Sequence, residues 1–130
     1  MTRQPPRPGP SAEEPRFPPA SDVLSGETAD VYFERAQRIL AAERMDPVVT
    51  MEIFARENGI LCGAEEAISY LRKIFATAKT HDPAPVVESL SDGDAVAAKE
   101  VVMRIAARYS AFGLYETAIL GILSQSTGWA

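Results

Sequence analysis

After a proline-rich start, apolar and polar residues recur along the chain with two different periods. Tyr32, Phe33, Ala36, Ile39 and Leu40 fall on one side, with Glu34, Arg35, Gln37 and Arg38 opposite. That pattern predicts an amphipathic helix capped by Thr28 or Asp30 and running to about residue 44. Pro47 ends it, because its ring pushes Asp46 out of the helical region. From residue 48 to 56 the period becomes two: Val49, Met51, Ile53 and Ala55 face one way, Thr50, Glu52 and Arg56 the other. A half-buried strand fits. Asn58 and Gly59 turn the chain, and Ile60, Leu61 and Cys62 form a short apolar run. A second helix is expected over 64–78, with Ala64, Ile68, Leu71, Phe75 and Ala78 inward. Glu65 and Glu66 open it and Lys73 and Lys79 close it, as the helix dipole favours. Residues 86–90 read as a strand and 91–94 as a turn. Over 100–109 alternation returns, placing Val101, Met103, Ile105, Ala107 and Tyr109 inward and Val102, Arg104, Ala106 and Arg108 outward.

The last block breaks both patterns. Residues 114–123 carry one charge, Glu116, and leave no clear polar face. A helix apolar all round belongs in a protein interior or an interface, and this one is too short for a bilayer, which needs about 20 apolar residues. With Gly113 as N-cap, Glu116 takes the third helical position, where a carboxylate caps free N–H groups; a ligand role is the alternative. Gly121 costs about 1 kcal/mol against alanine in mid-helix, so close packing of another backbone is expected there. Residues 124–128 should end the helix. An oily helix two residues from the last residue, Ala130, reads as part of an incomplete protein.

Composition narrows the classes. The 130 residues allow one domain, and 46% hydrophobic content is enough for a core. A net charge of −5 argues against a generic nucleic-acid or anionic-membrane surface. The single cysteine, Cys62, excludes an internal disulfide and reads as a small buried hydrophobe rather than a reactive thiol. Seven of the ten prolines lie in residues 1–22, where a disordered extension is expected, with a domain over 23–130. No signal-peptide pattern is present, so the cytoplasm is expected. His81 has no partners at ligand spacing, so no metal site is expected. Arg104 and Arg108 read as a solvated strand face, and Asp92 and Asp94 as a solvated turn. No phosphate-cradling loop or nucleophile–base pair stands out.

A family resemblance appears at the last block. The run Tyr109-x-x-Phe112-Gly113-Leu114-x-Glu116-Thr117-x-Ile119-Leu120-Gly121-x-Leu123-Ser124-x-x-Thr127-Gly128-x-Ala130 resembles the helix that closes the N-terminal domain of nicotinate phosphoribosyltransferases. It is similar, more distantly, to the Glu-(Arg/Thr)…Leu…Ser-Gly-Ile-Ala-Thr segment of quinolinate phosphoribosyltransferases. Residues 28–33, 51–56 and 59–63 resemble further blocks of the first family, in the same order. The resemblance implies an α+β fold, the N-terminal α/β sandwich domain of a type II phosphoribosyltransferase, without the catalytic barrel that follows it. It implies the displacement of diphosphate from phosphoribosyl diphosphate by nicotinate, giving nicotinate mononucleotide for NAD synthesis. Mg2+, and in some members ATP, would serve the full enzyme, which would be a homodimer. This chain would be inactive by itself and would hold no cofactor. Tyr32 matches a tyrosine that lies near the nicotinate pocket across the dimer interface, and Thr127 and Gly128 match the turn leading toward the substrate; all three are substrate-binding candidates. Tyr32 could equally pack its helix.

Two other readings stand beside this one. Residues 92–102 resemble the Gly-Asp-x-Val-x-x-Gly signature of biotinyl and lipoyl carriers, although Lys99 replaces the second glycine and no lysine sits at the tip that carriers modify. A stand-alone interaction subunit that buries its last helix in a partner is the third.

Overall fold

The structure is a computed structural model that describes residues 20–27, 29–79 and 82–130. Most of the expected proline-rich extension, and His81, lie outside these residues. Within them α1 (Ser21–Ser25), α2 (Val31–Ala42), β1 (Val48–Phe54), β2 (Gly59–Ile60), α3 (Ala64–Thr77), β3 (Val86–Ser89), β4 (Ala95–Val96) and β5 (Val101–Arg108) follow in order. A short helix α4 (Tyr109–Phe112), a 3-10 turn (Gly113–Tyr115) and α5 (Glu116–Trp129) complete the chain. The mixed helix-and-sheet class is as expected.

The main sheet is antiparallel, in the order β1–β5–β3, and β2 pairs with β4 in a separate ribbon. Register sorts the side chains. Val49 lies opposite Ala107, Met51 opposite Ile105 and Ile53 opposite Met103, with Val87 across from Ile105 on the other edge. This row faces the helices, joining Ala67, Tyr70, Leu71, Ile74 and Phe75 of α3, Phe112 of α4, and Ile119 and Leu123 of α5 in one core. The opposite row holds Thr50, Glu52, Glu88, Arg104 and Ala106, as in an antiparallel sheet covered on one face only.

Several expectations need correction. Val102 is buried rather than outward. The pairing of β1 with β5 shifts register between Ile53 and Phe54, so Val102 has no partner across the pair and sits inward beside Met103; a bulge of this kind breaks strict alternation. In α2 only Phe33 is buried, while Tyr32 and Ile39 are 61% and 63% exposed. The apolar stripe of that helix is therefore mostly uncovered. No basic residue lies in the last turn of α3, which ends at Thr77, before Lys79. The 3-10 turn intervenes before α5, so Glu116 is its first residue, not its third, and Tyr115 occupies the N-cap. Nor does the helix stop at residues 124–128; it runs on to Trp129. A Cβ built on Gly121 would meet nothing within 4 Å, so no other described backbone packs against that position. The oily helix packs beside the domain's own α3 and buries Ile119 and Leu123 in the core, while Leu120 and Trp129 stay 39% and 88% exposed. No helix of the described residues is long and apolar enough to cross a membrane.

Candidate functional site

The three candidate residues lie at the two ends of α5. At its C-terminal end Thr127 and Gly128 help line an open groove of about 710 Å3. Its apolar floor comes from Ile53, Leu61, Val102 and Leu123, and the loop Arg56-Glu57-Asn58 forms one wall. The Asn58-Gly59 turn holds that wall: the Ala98 N–H donates to Asn58 Oδ1 at 2.9 Å. Arg56 is exposed and pairs with no other described residue. Gly128 is helical, not part of a turn. Thr127 is already engaged. The Cys62 N–H donates to its Oγ1 at 3.2 Å, and that hydroxyl donates to the Cys62 carbonyl at 3.1 Å. It pins α5 to the link between β2 and α3.

Gly63, next in that link, has φ +89°, and a Cβ there would meet Ser126 Cβ at 2.9 Å and the Ile122 carbonyl at 3.0 Å. The link must pass this close to α5, and only glycine allows it. Asp92 completes the junction from 28 residues further on, accepting from the Ala64 N–H at 2.7 Å and the Glu65 N–H at 3.2 Å. The sequence marks Asp92 as a turn residue, and nothing local marks a cap supplied from so far away.

Tyr32 lies near the other end. Its ring sits 4.4 Å from Phe33, tilted by 44°, with most of its surface open. Burial pushes the Tyr109 phenol up, helped by the neighbouring Tyr32 and Glu116. Burial likewise raises the Glu116 carboxyl above the usual carboxylate range. Tyr109 thus lies within electrostatic reach of both Tyr32 and Glu116, near the start of α5. Eleven residues of helix separate Glu116 from Thr127, or roughly 16 Å at 1.5 Å per residue. One chain does not bring Tyr32 and Thr127–Gly128 onto a single small ring.

The expected solvated strand face carries more order than a set of free surface charges would. Arg104 bridges Glu52 at 2.7 Å and Glu88 at 3.2 Å across three strands, and Arg108 donates to the Asp82 and Asp46 carbonyls. Among the described residues no three His, Cys, Asp or Glu side chains converge as a metal would need, so no step through Mg2+ is assigned to this chain.

Residues 30–127 match the family described as quinolinate phosphoribosyl transferase, N-terminal domain. The chain belongs to this family. The carrier-like stretch at residues 92–102 lies inside the matched region. Among solved structures, the nicotinate-nucleotide pyrophosphorylase from Pyrococcus furiosus is similar at 30% identity, with a TM-score of 0.69 over 87% of this chain and 29% of that one. The nicotinate-nucleotide pyrophosphorylase from Francisella tularensis (18% identity, TM-score 0.54, 85% of this chain and 37% of that one) shares the fold. So does NadC from Streptococcus pyogenes (17%, 0.54, 76% and 37%). The chain therefore spans about a third of the length of the proteins it matches. It is related to a phosphoribosyltransferase of NAD biosynthesis, through the domain that precedes the barrel.

Proposed function

We propose that this domain serves a nicotinate phosphoribosyltransferase, which makes nicotinate mononucleotide from nicotinate and phosphoribosyl diphosphate, and that it does not turn over alone. The observation that carries this is the 30% identity to a nicotinate-nucleotide pyrophosphorylase, together with the block of residues 109–130 that resembles the nicotinate enzymes. The reaction forms a bond from the pyridine nitrogen to the sugar carbon as diphosphate leaves. Stabilising a cationic sugar and a departing polyanion takes basic groups and metal-binding carboxylates in one pocket; Mg2+, and ATP if hydrolysis is coupled, belong to the full enzyme.

In this reading Tyr32 stacks on the pyridine ring, and its open face supports that use. The separation of Tyr32, on α2 near the start of α5, from Thr127–Gly128 at the far end of α5 supports a homodimer in which Tyr32 reaches the partner's pocket. The test is diphosphate release by the protein its gene encodes, with nicotinate and with quinolinate. Nicotinate-dependent release, with Tyr32→Ala raising KM for nicotinate at least several-fold, is expected. Release with quinolinate alone would overturn the choice of base, and release with neither would overturn the reading.

A further inference from the structure

Helix α1 ends at Ser25, while the family match starts at residue 30. Yet α1 is fastened to the domain at three points. The Tyr70 hydroxyl, from α3, donates to the Val23 carbonyl at 3.2 Å. The Tyr115 hydroxyl, from the 3-10 turn, donates to the next carbonyl, Leu24, also at 3.2 Å. The two rings meet edge-on, 6.0 Å apart and at 90°, so the pair presents two adjacent donors to two adjacent acceptors. The third point is Gly26. It ends α1 at φ +82°, and a Cβ on it would run into the Leu114 side chain. The Gly26 N–H donates to the Val23 carbonyl and the Glu27 N–H to the Asp22 carbonyl, a closed C-terminal turn that fixes the direction in which the chain leaves α1.

That direction matters because α2 comes next. With Phe33 as its one buried residue, burial of its apolar face holds α2 weakly. Residues 113–115, the turn that carries Tyr115, also contact α2. One short segment therefore supports both helices.

We infer that α1 is a strap, fastened by the Tyr70 and Tyr115 hydroxyls, that sets where α2 and its Tyr32 lie on the domain. Tyr70 and Tyr115 act as positioning residues, and the inference stands whether or not Tyr32 binds a pyridine. Amide hydrogen exchange on the full chain tests it. In Tyr70→Phe/Tyr115→Phe two hydrogen bonds are lost, and exchange across Val31–Ala42 should speed up on the order of tenfold, while Met103 and Ile105 of β5 keep their protection. Gly26→Ala leaves both hydroxyls intact but displaces the strap from Leu114, and should loosen α2 in the same way; it also serves if the double variant does not fold. Unchanged exchange in α2, or equal acceleration in β5, would overturn the inference.

Discussion

Replacing Asp92 by alanine is the most direct test of how this domain is held together. The N-cap of α3 is Gly63, which has no side chain to offer, so the first N–H groups of the helix would be left without partners. Asp92 supplies both oxygens instead, at 2.7 and 3.2 Å. Its own turn is tied back by the Gly93 N–H to the Leu61 carbonyl and the Leu61 N–H to the Asp94 carbonyl. Loss of an N-cap costs about 0.5–2 kcal/mol, and bonds to an ionised acceptor sit above the neutral mean. Because Asp92 is exposed, water recovers part of the loss, so about 1–1.5 kcal/mol is expected for Asp92→Ala. At this chain length that lowers Tm by roughly 3–6 °C. Asp92→Asn keeps one acceptor and should lose about half as much. Thermal melts followed by circular dichroism read both. A Tm for Asp92→Ala within about 1 °C of the parent would refute the long-range cap.

Three further outcomes follow from the geometry. Gly63→Ala forces a side chain onto a positive φ and against the Ile122 carbonyl, and should cost upward of about 2 kcal/mol in urea unfolding; a loss below half of that would mean α5 can move aside. Lys99 holds φ +68°, so Lys99→Gly removes strain and should raise stability by up to about 1 kcal/mol, with a lower urea midpoint counting against it. Burial pushes the Tyr70 phenol up to about 12 from an ordinary 10. A folded-state value above the unfolded one means the contribution is complete below pH 10 and is lost as pH rises toward 12. Stability should therefore fall by roughly 1–2 kcal/mol over that window, after allowing for screening, and Tyr70→Phe should flatten the fall.

What the sequence revealed, it revealed through periodicity. Strand β1 and helix α3 have one buried and one open face, so period two and period 3.6 survive in the residue order, and Val49, Met51, Ile53, Leu71 and Phe75 were legible. The bulge at Val102 was not, because one unpaired residue inverts the pattern without changing composition. The reading of α5 failed differently. Its apolar residues point all round, which predicts cover without saying whose, and the structure buries Ile119 and Leu123 in the domain's own core with α3 alongside. Of the candidate site, the Asn-Gly turn that walls the groove was visible. The Asp92 cap and the two tyrosine fastenings were not, since each joins residues 27 or more apart whose types alone carry no address.

Thr127 shows how the same residue can be picked out for one reason and used for another. A hydroxyl has one proton and two lone pairs. Here the proton goes to the Cys62 carbonyl and one lone pair takes the Cys62 N–H, which leaves a single acceptor site free. A ligand that needs to accept a hydrogen bond from Thr127 must first break the staple between α5 and the β2–α3 link, whereas one that only donates, or that lies against Gly128, need not. The groove is therefore better suited to have its wall positioned by Thr127 than to be read by it. If substrate does reach this end of α5, Gly128 and Arg56, which pairs with no other described residue, are groove-lining groups free to meet it.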